Sequence, residues 1–337
     1  EFLGSAITTS LISRNGHPVI KKCVFKAEAP VGLSADTRSA PALVTGCLFS
    51  MPGGTGLDYV SVASGSVDKN TFRGNRVGIY VYSAETIYNT RTSAFPITNN
   101  IFRNNTWGIA LVARFGGVGR CTVKGNTFQS NIRGVTGGVV GDREEIQVRP
   151  VLGGVRRDAQ GASVEKSTVD GNRFISNTHG MMFSETRMTV INNLLTGHKE
   201  TNISSEGGGN TIAFNTVAGG KADGISLEAS GTTGDRSLVV NNIFVSNTGY
   251  GVCLDALSKA ARLGGNDYYA NAKGVVLGAF VDRGGSLTVN PKFKAGSYAL
   301  AVGSPLIDKA IAAYTTDHDI TGAKRTKPDI GAYEYKK

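Results

Sequence analysis

The sequence predicts an all-β fold, a single-stranded right-handed parallel β-helix of about ten coils followed by a C-terminal capping segment. Three observations predict it. One short phrase repeats along the chain. The apolar runs between its copies are short and alternate with period two, as in β-strands. The chain also has 45 glycines and only 9 prolines, which suits many tight turns between short strands.

The repeated phrase is Asn, any residue, a large apolar residue, a second Asn three residues later, and then a Gly before a β-branched residue. The closest copies, Asn172 and Asn193, are 21 residues apart, which sets the minimal coil. A coil of this length has room for three short strands, each pairing in parallel with the next coil about 4.8 Å away. The copies begin at Cys23, Cys47, Asn70, Asn100, Asn126, Asn172, Asn193, Asn215, Asn242 and Asn266.

Stacked coils place like residues on like residues. The large apolar residues then form one interior column: Phe25, Phe49, Phe72, Phe102, Phe128, Phe174, Leu195, Val217, Phe244 and Tyr268. The Asn column is interpreted as structural, because an Asn side chain tolerates a left-handed turn and bonds to the amides stacked beside it. Cys23 and Cys47 hold the Asn position in adjacent coils, and either a disulfide or a stack of two thiols fits that spacing.

The organisation predicted from the repeat is a β-helix over residues 1–285 and a C-terminal cap over 286–337 that is continuous with the solenoid. A solenoid needs such a cap to cover its last open coil. Acidic residues of the cap and Arg325 are expected to hold it in place through ion pairs. The long interval after Asn126 predicts a charged insertion at about 137–165 that projects from one face.

The net charge of +10 indicates an anionic partner. That partner could be a nucleic acid, a membrane surface or an acidic polysaccharide, and the spread of the positive charges along the chain argues against a nucleic-acid-binding arm. No apolar run is long enough to span a bilayer, so no membrane span is predicted. The chain begins with Glu1 and the repeat is running by Cys23, so sequence upstream of Glu1, with any export signal in it, is expected to have been removed.

The C-terminal residues carry a resemblance. They read Ser304-Pro-Leu-Ile-Asp308, then Asp317-x-Asp-x-x-Gly322, Arg325, and Pro328-Asp-Ile-Gly-Ala-Tyr-Glu-Tyr335. This ending resembles the C-terminal signature of secreted bacterial pectate-lyase-like β-helix proteins. The resemblance implies an extracellular or cell-surface location and, where chemistry is present, chemistry on polysaccharides.

Four carboxylates are the strongest functional signal. Glu185, Glu206, Glu228 and Asp255 each lie eleven residues after the interior column, on four consecutive coils. Stacked carboxylates repel one another unless a cation, a shared proton or a basic neighbour compensates. Two uses stay open: a calcium ion held by Glu206, Glu228 and Asp255 that bridges to a uronate, as in the pectate lyases, or an acid and base pair for glycoside hydrolysis.

Basic residues in the same coils complete the predicted site. His179 and Arg187 are assigned with the carboxylates as catalytic residues, because a lyase needs a base for the α-proton and cations for the substrate carboxylate. The residues expected to bind the substrate are His198, Lys199, Arg143, Arg149 and Arg156. The opposing interpretation is a set of solvated acids paired with surface cations such as Lys221 and Lys259.

The predicted function is therefore that of an extracellular, carbohydrate-active β-helix enzyme, a polysaccharide lyase or glycoside hydrolase that acts as a monomer on an acidic polysaccharide. One alternative is a non-catalytic surface stalk, adhesin or glycan-binding β-helix. A second is a phage or virulence fibre, which would form trimers.

Overall fold

The computed structural model of the 337-residue protein describes residues 2–3, 18–26, 31–35, 42–60, 65–83, 95–113, 121–139, 167–184, 188–228 and 237–336. The chain divides into two compact units. The first comprises Glu1–Ser167 and Met181–Thr186, and the second comprises Thr168–Gly180 and Arg187–Lys337.

The first unit is built from short strands in three parallel sheets, with one strand of every coil in each sheet. Sheet A has the order β1-β3-β6-β9-β12-β15, sheet B the order β2-β5-β8-β11-β14, and sheet C the order β4-β7-β10-β13-β16. The strands are β1 (Phe2–Leu3), β2 (Val19–Lys21), β3 (Val24–Lys26), β4 (Val31–Ala35), β5 (Leu43–Thr45), β6 (Leu48–Ser50), β7 (Thr55–Val60), β8 (Val67–Asp68), β9 (Thr71–Arg73), β10 (Val77–Ser83), β11 (Phe95–Thr98), β12 (Ile101–Arg103), β13 (Trp107–Ala113), β14 (Cys121–Lys124), β15 (Thr127–Gln129) and β16 (Arg133–Val139).

The second unit repeats this plan. Its sheet A has the order β18-β21-β24-β27-β30, its sheet B β17-β20-β23-β26-β29-β32, and its sheet C includes β22-β25-β28-β31. The elements are β17 (Ser167–Asp170), β18 (Arg173–Ile175), β19 (His179–Ser184), β20 (Met188–Ile191), β21 (Leu194–Thr196), β22 (Thr201–Glu206), β23 (Thr211–Ala213), β24 (Thr216–Ala218), β25 (Ile225–Glu228), β26 (Leu238–Val240), β27 (Ile243–Val245), β28 (Tyr250–Leu254), the 3-10 helix η1 (Ser258–Ala260), β29 (Arg262–Gly264), β30 (Asp267–Tyr269), β31 (Gly274–Leu277), β32 (Val281–Asp282) and the 3-10 helix η2 (Ala312–Tyr314). Strands β17 and β19 include residues of both units.

The predicted fold class is confirmed: the chain is a parallel β-solenoid, and the predicted number of coils is close to the number observed. The interior column is present as predicted. In the first unit the rings of Phe25, Phe49, Phe72, Phe102 and Phe128 stack with centroids 4.6 to 4.9 Å apart. This spacing follows from the separation of paired strands, which brings each ring onto the ring of the next coil.

The Asn column forms hydrogen-bonded ladders. The backbone N–H of Asn70 donates to Oδ1 of Asn100 at 2.9 Å, and Asn193 donates to Asn215 in the same way, also at 2.9 Å. The left-handed residue of each turn is the one before the ladder Asn: Asn99 has φ of 55° and precedes Asn100. The ladder therefore satisfies buried backbone amides, while the preceding residue makes the turn.

Cys47 occupies a ladder position as an unbonded thiol. Its N–H donates to Oδ1 of Asn70 at 2.9 Å, and its Sγ accepts a hydrogen bond from the N–H of Cys23 at 3.4 Å. Both cysteines are free thiols. Of the two arrangements that the sequence allowed, the structure has the thiol stack, and burial raises the pKa of the Cys47 thiol.

The C-terminal segment that follows β32 packs on the second unit in two ways. Leu287 continues over the end of sheet A, where it forms a parallel bridge with Asp267 of β30. The rest lies along the outer face of sheet A, where Leu306 and Ile330 pack on Ile243. The segment therefore protects the side of the coils as well as the edge of the last strand of sheet A.

Arg325 ties this segment to the coils through Asn192 and Phe214, whereas its ion pair, the kind of contact that the sequence predicted to hold the segment, is made to Glu334 within the segment. Its guanidinium is buried, bonds to Oε2 of Glu334 at 2.7 Å, and lies 4.4 Å from the centre of the Phe214 ring. It also donates to the carbonyl of Gly331 at 2.8 Å and to Oδ1 of Asn192 at 3.3 Å. The charge is thus paired and fully hydrogen-bonded, the condition under which a buried cation is tolerated.

Asp319 organises the turn that precedes Arg325. Its carboxylate accepts hydrogen bonds from the N–H groups of Thr321, Ala323 and Glu334 at 2.8, 2.8 and 2.9 Å. Burial alone would raise the pKa of Asp319, but these hydrogen bonds outweigh it and lower the pKa. The second Asp of the Asp-x-Asp-x-x-Gly motif is therefore accounted for by turn structure.

Candidate functional site

Two of the predicted carboxylates lie side by side on the outer face of sheet C in the second unit. Glu206 ends β22 and Glu228 ends β25, and the two residues are register partners in adjacent parallel strands. Their side chains therefore project in the same direction from strands about 4.8 Å apart. Glu228 is exposed and Glu206 is half-buried. The strands place two acidic groups close enough to act on one ligand.

Asp255 lies one coil further along, but its carboxylate serves a turn. Its N–H donates to the carbonyl of Leu227, which keeps the residue adjacent to Glu228 along the solenoid. Its Oδ1 accepts hydrogen bonds from the N–H groups of Leu257 and Ser258 at 3.2 and 2.7 Å, which begins the turn into η1. This Asx-type bonding accounts for an Asp at this position. The acidic pair is thus Glu206 and Glu228, with Asp255 engaged beside it.

Five predicted site residues lie outside the part of the chain that the structure describes. Glu185 and Arg187 belong to the short segment after β19, and the three arginines belong to the predicted insertion. Of the predicted insertion, Gly137 and Gly138 are part of β16, and residues 140–165 lie outside the described ranges. The residues outside the described ranges are Glu185, Arg187, Arg143, Arg149 and Arg156.

His179 lies at the opposite end of the sheet C strands from the acidic pair. Its Nδ1 is 3.1 Å from Oγ1 of Thr201, and its Nε2 is 3.3 Å from Oε2 of Glu200. Thr201 begins β22 and Glu206 ends it, so about 16 Å of strand separates the two positions at about 3.3 Å per residue. The structure does not bring His179 together with the acidic pair.

His198 is interior rather than substrate-facing. It is 1% exposed, and its Nδ1 accepts a hydrogen bond from the N–H of Asn177 at 3.2 Å, the bond that a ladder Asn makes elsewhere. Burial lowers its pKa to about 4. A neutral, enclosed imidazole offers no surface to a polysaccharide, so the expected substrate-binding role lacks support. The sequence carried this signal, because His198 follows Asn193 at the offset of the second ladder Asn.

Lys199, the next residue, is exposed on the same turn. Its N–H donates to the carbonyl of Asn177 at 3.1 Å, so the backbone is held while the side chain faces solvent. Glu200 follows it, with a side chain that is 64% exposed. Lys199 therefore stays available to an anionic ligand, near His179 and far from the acidic pair.

The described residues include no group of three or more His, Cys, Asp or Glu side chains arranged to hold a metal ion. Of the three residues expected to bind calcium, Glu206 and Glu228 are partners on adjacent strands. The carboxylate of Asp255 instead accepts hydrogen bonds from backbone N–H groups. Calcium binding at these residues therefore remains a prediction.

A row of cations on the first unit was missed by the sequence reasoning. Lys26, Arg73 and Arg103 each follow a column Phe by one residue, on the outer face of sheet A, and all three are exposed. Arg73 and Arg103 are register partners, and Nη2 of Arg103 donates to Oε1 of Gln129 at 2.8 Å. Further exposed cations lie at the turns that flank this face. We name the set of Lys26, Lys69, Arg73, Arg76 and Arg103 the basic strip.

The excess of positive charge is concentrated in residues 1–167, the part of the chain that carries the basic strip. Residues 1–167 contain 19 of the 36 Lys and Arg residues but only 11 of the 26 Asp and Glu residues. In the second unit the positions that follow the interior column are uncharged, and on β24 and β27 they are buried by the C-terminal segment. These uncharged positions are Ile175, Thr196, Ala218, Val245 and Tyr269.

Comparison with protein families supports this picture at the level of class. Residues 5–149 match the family described as the right handed beta helix region. The parallel coils and the matches together support the right-handed parallel β-helix superfamily as the class of this protein. Within that class, residues 157–279 are similar to the family described as periplasmic copper-binding protein (NosD). No curated protein matches the chain.

The NosD family is periplasmic by its description, which agrees in a coarse sense with the predicted location outside the cytoplasm. Within the described ranges, no helix has the length and apolar character needed to cross a membrane.

Proposed function

We propose that the protein is a glycan-binding β-helix that acts outside the cytoplasm and holds an acidic polysaccharide along the basic strip of its first unit. One observation carries the proposal: Arg73 and Arg103 stand in register on the exposed outer face of sheet A, with Lys26 further along the same face. A linear polyanion fits such a row, because Arg73 and Arg103 lie on adjacent strands about 4.8 Å apart and Lys26 lies two coils before Arg73, with Ser50 between them.

The strip binds through many weak contacts. A single exposed ion pair contributes only about 0–1 kcal/mol, so no one cation dominates. Several cations fixed on a rigid sheet act together on a polymer and keep it engaged. Arg103 is already oriented by Gln129, which reduces the entropy lost when it pairs with a carboxylate. The binding should therefore depend on polymer charge and weaken with added salt.

Replacing Arg73 and Arg103 together by glutamine is expected to weaken binding of polygalacturonate and alginate at least tenfold in affinity gel electrophoresis. The matched control is the double variant Lys273→Gln and Arg283→Gln, which removes the same charge from exposed positions of the second unit. The control should migrate like wild type, and neutral dextran should retard none of the proteins. Equal retardation of both double variants would contradict the proposal.

A second candidate function is cleavage of the bound chain by the acidic pair. Glu206 and Glu228 project from adjacent strands about 4.8 Å apart, so their carboxyl groups can approach the separation of about 5–5.5 Å that retaining glycosidases use between theirs. One carboxyl would donate a proton to the leaving oxygen while the other attacks the sugar carbon. His179 is too far along the strand to assist.

Cleavage predicts new reducing ends from an acidic polysaccharide, and Glu228→Gln should lower their rate of release at least 100-fold. Glu200→Gln removes an exposed acid at the other end of β22 and should leave the rate unchanged. Absorbance at 235 nm, read with and without calcium, separates a lyase from a hydrolase. No product in either assay across a broad panel of acidic glycans would exclude this candidate.

The matched family's description names copper, and the described residues do not provide a set of ligands for it. The proposal therefore assigns no step to copper.

A further inference from the structure

Two thiols lie together on neighbouring coils of the first unit. Cys23 and Cys47 directly precede β3 and β6, which pair in register from Val24 and Leu48 onward. The N–H of Leu48 donates to the carbonyl of Cys23 at 2.9 Å, so the backbone pairing extends to the two cysteines. Their α-carbons are therefore about 4.8 Å apart, inside the range of about 4.4–6.8 Å that a disulfide requires.

The side chains of the two cysteines are in contact. Sγ of Cys47 lies 3.4 Å from the backbone N of Cys23 and 3.8 Å from the carbonyl oxygen of Ile20, so it reaches across to the preceding coil. The two thiol groups are also hydrogen-bonded to each other. Because paired strands hold both residues in place, the sulfur atoms are positioned to react with each other.

One thiol of the pair is open to solvent and the other is enclosed. Cys23 is half-buried, whereas Cys47 is 2% exposed. Exposed cations surround Cys23 in the sequence: Lys21 and Lys22 precede it, and Lys26 follows on β3. These cations attract an anionic reagent to the half-buried thiol. Cys23 is therefore the thiol that meets a reagent, and Cys47 is the thiol held ready behind it.

We infer that Cys23 and Cys47 form a reversible redox pair that a soluble disulfide oxidises. The Cys23 thiolate attacks one sulfur atom of the reagent, which forms a mixed disulfide and releases one thiol. The Cys47 thiol then loses its proton to solvent and attacks Sγ of Cys23, which closes the Cys23–Cys47 bond and releases the second thiol. The protein loses two electrons and two protons, and the reagent gains them as two thiols.

Oxidation of the pair ties two neighbouring coils together. Coils of a solenoid are held only by their neighbours, so opening begins near the ends, and β3 and β6 are close to the first end of sheet A. The covalent bond restricts this opening and should raise the melting temperature by a few degrees. Oxidants of this class occur outside the cytoplasm, and the half-buried Cys23 keeps the bond within reach of a reducing thiol.

The test is oxidation of the reduced protein with glutathione disulfide, followed by alkylation under denaturing conditions and peptide mass spectrometry. Two of the four cysteines should escape alkylation, and the peptides of Cys23 and Cys47 should be joined with the loss of two hydrogen atoms. Dithiothreitol should restore all four thiols. Cys121→Ser and Cys253→Ser are the matched controls and should oxidise like wild type.

Two variants separate the roles of the pair. Cys47→Ser should accumulate glutathione on Cys23, because the second thiol is missing, whereas Cys23→Ser should keep Cys47 free. Oxidation should raise the melting temperature of wild type and leave that of Cys47→Ser unchanged. Circular dichroism of each variant checks that it is folded.

Four free thiols in oxidised wild type, a glutathione adduct that persists on wild-type Cys23, or a bond to another cysteine would overturn the inference. An unmodified Cys23 in the Cys47→Ser variant would also overturn it. Glycan binding enters none of these outcomes. Failure of the proposed function would therefore leave the redox pair standing, and failure of the redox pair would leave the basic strip standing.

Discussion

Replacing Arg325 by alanine is expected to lower the free energy of unfolding of the second unit by about 3–5 kcal/mol, because it leaves buried acceptors without their cation. The guanidinium uses all of its N–H donors. Besides Glu334, Gly331 and Asn192, it donates to the carbonyls of His318 and Asp329 at 3.2 and 3.3 Å. Burial raises the pKa of Glu334, so this carboxylate depends on the paired cation.

The measurement is thermal and urea unfolding followed by circular dichroism, together with limited proteolysis of the C-terminal segment. Lys327→Ala is the control, because Lys327 is exposed two residues further along. It should change the unfolding free energy by less than about 0.5 kcal/mol. A variant Arg325→Ala that unfolds like wild type and resists proteolysis would show that the segment is held by its apolar contacts alone.

The second large effect is expected in the aromatic column. Phe102→Ala removes a fully buried ring that stacks on Phe72 and Phe128 at 4.9 and 4.7 Å, and it should cost about 3–5 kcal/mol. The neighbouring coils pair through backbone hydrogen bonds and cannot collapse into the space, so a cavity remains. Loss of cooperative unfolding is the expected signature in a solenoid whose coils contact only their neighbours.

Ile101 supplies the matched control, because it precedes Phe102 in β12 and is 42% exposed on the outer face. Ile101→Ala should cost far less than Phe102→Ala in the same urea titration. Equal costs for the two variants would contradict the assignment of Phe102 to the interior and Ile101 to the surface.

The features that the sequence predicted well are those repeated in every coil. The Phe column and the Asn ladder recur at constant offsets, because parallel pairing forces each coil to place the same residue type at the same position. The residue with left-handed backbone geometry in each turn was predicted incorrectly. The left-handed residue is Asn99 rather than the ladder residue Asn100, because the ladder side chain must face inward to reach the next amide.

The candidate site was harder to predict because it depends on single side chains. Glu206 and Glu228 keep the offset and the register that the repeat gave them. Asp255 keeps the offset, but its carboxylate accepts hydrogen bonds from nearby backbone N–H groups because the chain turns there into η1. His198 was read as a surface ligand although its offset from Asn193 marks a ladder position.

The basic strip was not predicted, because the candidate site was assigned from the offset at which the four acids recur. Arg73 and Arg103 each follow a column Phe directly, so the row is readable from the sequence once the outer face is considered. The same offset gives Ala218 and Val245 in the second unit, where the C-terminal segment packs. The burial of Ala110 and Thr136 on the outer face of sheet C could not be predicted, because the burial of outward side chains is a tertiary property.

Binding to polygalacturonate as a function of salt concentration tests the central claim most directly. The account predicts that the wild-type affinity falls steeply as salt rises, because the basic strip binds by charge. The Arg73→Gln and Arg103→Gln double variant should start from a lower affinity and show a shallower dependence. Salt-independent binding by wild type, or the same dependence in the double variant, would contradict the account.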